Sequence, residues 1–282
     1  MKTSEDSKNF PVLSNIDSLA ESIIEVNNIA KKNGLHLWLS WGALLGIIRE
    51  KRLLPWNSDA ELECHYQNNI NKKLINMVDE LSMNGYNSYY YSTIGCLTVK
   101  KPGVIINVNC LWKEEDMTVR PHEECVKWYN KKKWGFYEYL SHYSYWLARS
   151  LFIYTKNISF KNFRIAKNKE RIKIVFILIN KFLSKKFKKW IYIRLINFSK
   201  KCGAKFSKRA IPSHFFDSFI TIDFYGDKID IPEKNVDLLE FIYGKDWKTP
   251  MDDWVFYDKK NKDKTKIRYI DESWDYENTD FI

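Results

Sequence analysis

The chain has 282 residues, 45% of them apolar and 29% charged, enough for one large domain or two small ones whose core needs no disulfide or metal staple. Its five cysteines, Cys64, Cys96, Cys110, Cys125 and Cys202, are odd in number and widely spaced. That argues against a disulfide framework, excludes a C-x2-C zinc pattern and favours reduced buried thiols. No run of 18 apolar residues occurs and the first residues, MKTSEDSKNFPVL, hold no apolar signal core, so a cytoplasmic protein without a membrane span is expected.

The net charge of +11 is unevenly placed. Lys161 to Arg209 contains seventeen Lys and Arg against one acid, Glu170, so this segment carries +16 and the remainder −5. Aromatic residues reach 16%, which suits burial in a core and, secondarily, stacking on sugars or bases.

In chain order, residues 14–33 predict an amphipathic helix. Ser14 or Asn15 caps it, Ile16, Leu19, Ile23 and Val26 line one face, and Gly34 ends it. His36 to Leu39 predicts a short strand leading into Trp41-Gly42, and Ala43 to Arg49 a short helix. Pro55 to Ser58 is a turn, after which Asp59 to Cys64 alternates acid and apolar residues with the strand period. Asn69 to Met83 is a second helix. Tyr86–Ser92, Cys96–Lys100 and Val104–Leu111 form a meander. Thr118 to Tyr154 is mixed and aromatic, with a helical reading favoured. The basic segment continues as helix through Leu183, Phe187, Trp190, Ile191, Leu195 and Phe198 until Gly203. Phe219–Phe224 and Lys228–Ile231 form a hairpin, Val236–Tyr243 a short helix, and the tail from Lys259 is charged and partly disordered.

Chemistry concentrates between Gly42 and Glu63. An enzyme that moves a phosphate-linked group must cradle phosphate and neutralise charge, which a Gly-containing turn before a helix and a pair of metal-holding carboxylates accomplish. Gly42 lies between strand and helix, and seventeen residues later Asp59 and Glu61 leave one strand face, their Cα atoms on the order of 7 Å apart. Each feature alone also suits a solvated strand face.

Trp38-Leu39-Ser40-Trp41-Gly42-Ala43-Leu44-Leu45-Gly46-Ile47-Ile48-Arg49, followed by Leu54-Pro55-Trp56-Asn57-Ser58-Asp59-Ala60-Glu61-Leu62, resembles the LicD/fukutin family. Ile231-Pro232, Leu238-Leu239 and Tyr243-Gly244-Lys245-Asp246-Trp247 resemble its C-terminal block. The resemblance implies an α+β, nucleotidyltransferase-like mixed sheet flanked by helices. It implies Mg²⁺ or Mn²⁺ held by Asp59 and Glu61. It also implies transfer of a substituted phosphate, such as phosphocholine or ribitol phosphate, from a CDP-linked donor to a glycan acceptor in capsule or lipopolysaccharide synthesis. By the same resemblance Gly42 and Ala43 sit at the phosphate turn, and Arg49 pairs with donor phosphate. Charge alone equally allows Arg49 an ion pair with Glu50.

The sequence departs from the family pattern at Asn57 and Ser58, which replace two acids, and at Glu61, which replaces Asp. The family's third acid falls on Asn107 or Asn109, amides that can ligate a metal or touch substrate but cannot take a proton. Glu63, on the face of Asp59 and Glu61, is the candidate replacement, with Glu114 and Asp116 behind it; His36 and His65 are read as structural. Three organisational units are expected: a core over 1–135, a basic aromatic-rich helical segment over 136–210, and a C-terminal segment over 211–282. The basic segment is a solvated helical pair or docks on an anionic membrane surface, making the protein peripheral on the inner face; nucleic acid is disfavoured because no reading motif accompanies the charge. The alternatives to transfer are a degenerate relative that binds a glycan, a nucleotide or a partner subunit without turnover, and a nucleotidyltransferase releasing pyrophosphate.

Overall fold

The structure is a computed structural model that describes residues 16–57, 59–124, 135–156, 182–251 and 265–270, with 175, 177, 178 and 180 between them. Helix α1 (Ile16–Lys32) buries the stripe Leu19, Ile23, Val26 and Ala30, and the chain leaves it through Gly34 at φ 68°. The expected caps Ser14 and Asn15 lie outside the described residues.

Strand β1 (Trp38–Ser40) runs straight into helix α2 (Trp41–Glu50). Strand β2 (Ala60–His65), helix α3 (Ile70–Met83), and strands β3 (Asn87–Tyr91), β4 (Cys96–Lys101) and β5 (Val104–Glu114) follow. Then come β6 (Met117–Glu124), helix α4 (Phe136–Ser150) and β7 (Ile153–Tyr154). Helix α5 (Lys185–Lys201), strands β8 (Lys205–Pro212), β9 (Phe219–Phe224) and β10 (Asp227–Pro232), helix α6 (Asn235–Tyr243) and strand β11 (Arg268–Ile270) complete the described elements.

The class is α+β, a mixed sheet flanked by helices. Its strands run in the order β11-β8-β6-β5-β2-β1-β10-β9, with the β3–β4 hairpin joined to β5 and β7 joined to β3. β2 pairs parallel with β5 and antiparallel with β1, so the acidic strand lies in the middle of the sheet. One face of these central strands (Leu39, Ala60, Leu62, Cys64, Ile106, Val108) enters the main core with α1 and α3. A second, smaller core joins Tyr145 and Ala148 of α4, Tyr192 and Ile196 of α5, and Val119, Phe206 and Ala210 of the strands beneath them.

Two expectations are corrected. The stretch 118–154 contains strands β6 and β7 as well as helix α4. The basic segment is not helical to its end: Lys205–Pro212 is an interior strand held between β6 and β11, and it spans the expected boundary at 210. Its period of two places Phe206 and Ala210 in the small core and Arg209 and Ile211 on the opposite face. Within the charged tail, Arg268–Ile270 is strand, while residues 252–264 and 271–282 lie outside the described residues, as do 157–174 of the basic segment. No helix among the described residues is long and apolar enough to cross a membrane.

Candidate functional site

The site begins where β1 becomes α2. Ser40 is extended (φ −140°, ψ 166°) and Trp41 takes φ 51°, a left-handed turn that bends the chain into the helix within one residue. Gly42 follows in the first helical turn. A Cβ there would meet the Asn57 amide nitrogen at 2.2 Å, so the glycine makes room for Asn57 to lie across the helix start. Ala43 is buried in the main core, which takes its side chain out of reach of a ligand. Ser58 lies outside the described residues.

Strand pairing lines up two rows of side chains. Ser40 stands opposite Glu61, Glu61 opposite Asn107, and Asn107 opposite Thr98. One step along the strands, Trp38, Glu63, Asn109 and Cys96 form the second row. In the first row the Thr98 hydroxyl donates to Asn107 Oδ1 at 3.0 Å, and Asn107 Nδ2 donates to Asp59 Oδ2 at 2.9 Å. The acceptor-only carboxylate fixes the amide orientation, so Asn107 presents N–H, not oxygen, to Asp59. Glu61 is pushed up from 4.5 to about 7, chiefly because burial disfavours its charge; Arg209 and Arg120 oppose the shift, and Asp59 and Glu63 add to it.

The second row is closed. Glu63 is 1% exposed; its Oε2 accepts from Ser40 Oγ and its Oε1 from Trp41 Nε1, each at 2.8 Å, and Arg209 Nη2 stands 3.8 Å from Oε1. Both oxygens are engaged, so Glu63 ties Ser40 and Trp41 together at the β1–α2 corner, which is where the structure places the candidate third acid. Asn109, fully buried, has no hydrogen bond on either side-chain atom among the described residues. It stands behind Asn107 in the sheet, and nothing in the structure explains the orphaned amide.

Arg49 forms the ion pair with Glu50 (2.7 Å) and donates to the Trp247 carbonyl at 3.3 Å. One side chain thereby ties the first sequence block to the second. Burial, and after it the charge of nearby Glu61, pushes the phenol of Tyr243, at the end of α6, well above its usual range. His36 bonds Asp230 at 2.8 Å and packs on Phe219, and His65 pairs with the Phe216 carbonyl at 3.2 Å beside Trp38, so both are structural. Glu114 is held by Lys208 at 2.8 Å.

Sequence reasoning missed Arg120 and Arg209. They reach the site because β6 and β8 pair Arg120 directly with Arg209, and the Arg209 guanidinium lies 3.9 Å over the Trp41 ring. The alternation Phe206, Ala210 against Arg209, Ile211 was the available signal.

Residues 34–96 match the nucleotidyltransferase domain of the LicD/FKTN/FKRP family. The resemblance carried by Trp38 to Leu62 is thus supported across α2, β2 and α3 of the matched segment; the second block, from Ile231 to Trp247, lies outside the match. No curated protein sequence matches the chain. Among solved structures, it is similar to the crystal structure of ANT(2")-Ia in complex with adenylyl-2"-tobramycin, at 10% identity over 64% of this chain and 98% of that one, with a TM-score of 0.28.

Among the described residues no three His, Cys, Asp or Glu side chains gather as a metal site. The matched segment does offer the two carboxylates Asp59 and Glu61. That fits Mg²⁺ or Mn²⁺, hard ions bound by one or two carboxylates with water and substrate phosphate completing the shell. Asn107, turned N–H first, does not add an oxygen to such a shell.

Proposed function

We propose that this protein is a metal-dependent transferase moving a phospho-substituent (phosphocholine, ribitol phosphate or a relative) from a CDP-linked donor to a sugar hydroxyl of a surface glycan. The observation that carries this is the pair Asp59, at the entry to central strand β2, and Glu61, within it, both inside the matched segment, with Glu61 held near pKa 7 beside two arginines. The LicD family supports the coarser statement, a glycan-modifying role of phosphotransferase type.

In this proposal Asp59 and Glu61 hold the divalent ion, which when bound neutralises charge on the donor phosphates. Asn107, itself held by Thr98, orients Asp59. Glu63 and Trp41 fix the β1–α2 corner against which the donor lies. The acceptor oxygen forms a bond to the donor's β-phosphorus, the bond from that phosphorus to the bridging oxygen breaks, CMP leaves with that oxygen, and the hydroxyl proton passes to water. The protein contributes positioning and fixed charge. The exposed Phe187, Trp190 and Phe198 of α5, set among lysines, support an acceptor presented at an anionic membrane surface.

The test is a panel of CDP-linked choline, ribitol and glycerol donors with CMP release as readout, with and without Mg²⁺ or Mn²⁺, beside Asp59→Ala. Metal-dependent CMP release lost in Asp59→Ala is expected; release that persists in the variant overturns the site. The N–H that Asn107 turns toward Asp59 favours one other reading, a relative that binds nucleotide or glycan without turnover. Binding of CDP without CMP release from any donor would establish it, and pyrophosphate release from a nucleoside triphosphate would indicate nucleotidyl transfer instead.

A further inference from the structure

We propose that Arg120 and Arg209 form a diphosphate-binding site facing Asp59 and Glu61, the chemical class of ligand being a nucleoside-diphosphate-linked donor. The identity of the ligand rests on the function proposed above; the existence of an anion site does not.

Arg120 on β6 and Arg209 on β8 are direct cross-strand partners, so their side chains leave the same face of the sheet. Their neighbours Val119 and Ala210 point the other way, into the small core. Like charges opposed in this way repel, and both residues are partly buried, where water screens the repulsion less. Arginine cannot relieve it by losing a proton. Such an arrangement destabilises the free protein unless an anion lies between or beside the two guanidinium groups.

The two arginines differ in what the protein offers them. Glu63 lies 3.8 Å from Arg209, and Trp41 lies flat beneath the same guanidinium, which holds it in one orientation. Arg120 makes no hydrogen bond or ion pair among the described residues, and its Nε is buried without a partner. The carboxylate that feels both arginines is Glu61. Once a divalent cation occupies Asp59 and Glu61, the negative charge facing Arg120 is neutralised, and a ligand phosphate can take its place. Planar N–H forks match phosphate oxygens two at a time, and a diphosphate offers enough oxygens to engage both guanidinium groups at once. The proposal therefore assigns the cation to β2 and the phosphate-binding charge to β6 and β8, drawn from a part of the chain outside the matched family segment.

The test is calorimetric binding to the full chain in Mg²⁺, with inorganic pyrophosphate and CDP as probes and cytidine as control, for wild type, Arg120→Gln, Arg120→Lys and Arg209→Lys, each checked for folding by circular dichroism. Wild type is expected to bind pyrophosphate and CDP far more tightly than cytidine. Arg120→Gln is expected to weaken both phosphate probes by about tenfold or more, with no loss of melting temperature. Arg120→Lys keeps the charge but loses the fork and should fall between. Unchanged affinity in Arg120→Gln overturns the proposal; should that variant not fold, unchanged affinity in both lysine variants overturns it.

The two proposals fail separately. Arg120-dependent pyrophosphate binding with no CMP release from any donor removes the transferase and leaves the anion site. CMP release with an unchanged donor KM in Arg120→Gln removes the anion site and leaves the transferase.

Discussion

Asn107 Nδ2 donates to Asp59 Oδ2 at 2.9 Å, placing an amide N–H where a third carboxylate would complete a metal site. Asn107→Asp tests what that difference does. The Thr98 hydroxyl can still donate to the new carboxylate, so the side chain should keep its place. Without metal the variant sets like charges side by side and should lose on the order of 1 kcal/mol of stability. With Mg²⁺ it should bind the ion about tenfold more tightly, since ligand charge sets affinity in oxygen sites. Thermal melts against Mg²⁺ concentration measure both; a variant with unchanged Mg²⁺ response would show that residue 107 does not face the ion.

Glu61 gives the site a pH dependence whose sign is fixed. Its folded pKa, about 7, lies above the unfolded value of 4.5, so between these values the folded chain holds more proton than the unfolded one. Glu61 therefore weakens the metal-free fold progressively as pH rises from 4.5 to 7, and by a constant amount above. Glu61→Gln should be more stable than wild type by on the order of 2 kcal/mol at pH 8, with the difference vanishing near pH 4. Mg²⁺ binding must also displace the proton, so affinity should rise with pH up to about 7 and then level, with proton release detectable in buffers of different ionisation enthalpy. A flat difference between the two proteins across pH 4–8 would contradict the assignment.

Glu63 separates structure from chemistry. Its two oxygens are taken by Ser40 and Trp41, and Arg209 stands beside them. Glu63→Gln keeps the shape but loses the charge, and should cost about 1–3 kcal/mol. Glu63→Ala leaves Arg209 and two donors facing a hole and should cost about 3–5 kcal/mol. Urea unfolding gives these values. Mg²⁺ affinity in Glu63→Gln should match wild type; a loss comparable to that of Asp59→Ala would return Glu63 to the metal site.

What was legible in the sequence was what is local. The alternation from Asp59 to Cys64, the helical stripe of α1 and the turn between β9 and β10 each declare themselves within a few residues, and the structure keeps them to within a residue or two. β6 and β8 do not. They pair across the whole of α4 and α5, and the basic Lys205, Lys208 and Arg209 on both faces of β8 obscure its period of two. Arg209 consequently read as the end of a basic surface rather than as a neighbour of Trp41. Arg49 illustrates a different limit: its charge served a phosphate or Glu50 equally well, and only the packing of α6 shows it bonded to both Glu50 and the Trp247 carbonyl. For the same reason the sequence placed Glu63 with Asp59 and Glu61, since period alone does not reveal that Trp41 folds over it.

Gly42 and Gly46 make the last comparison, because both lie in α2 for steric reasons that differ. A Cβ on Gly42 would collide with the tip of the Asn57 side chain, 2.2 Å away, which can swing aside. A Cβ on Gly46 would meet the Arg52 carbonyl oxygen at 2.6 Å and the Leu54 backbone nitrogen at 3.1 Å, which cannot move without unseating the loop. Gly42→Ala should therefore cost about 1 kcal/mol and Gly46→Ala about 2–3 kcal/mol. Asn57→Ala should cancel the first loss and leave the second, a coupling that a double-mutant cycle reads directly. Kinetics then separate room for Asn57 from room for a ligand. If Gly42 also admits the donor phosphate, Gly42→Ala/Asn57→Ala will be stable yet raise the donor KM above that of Asn57→Ala alone. Equal KM in the two proteins would mean that the glycine serves Asn57 and nothing else.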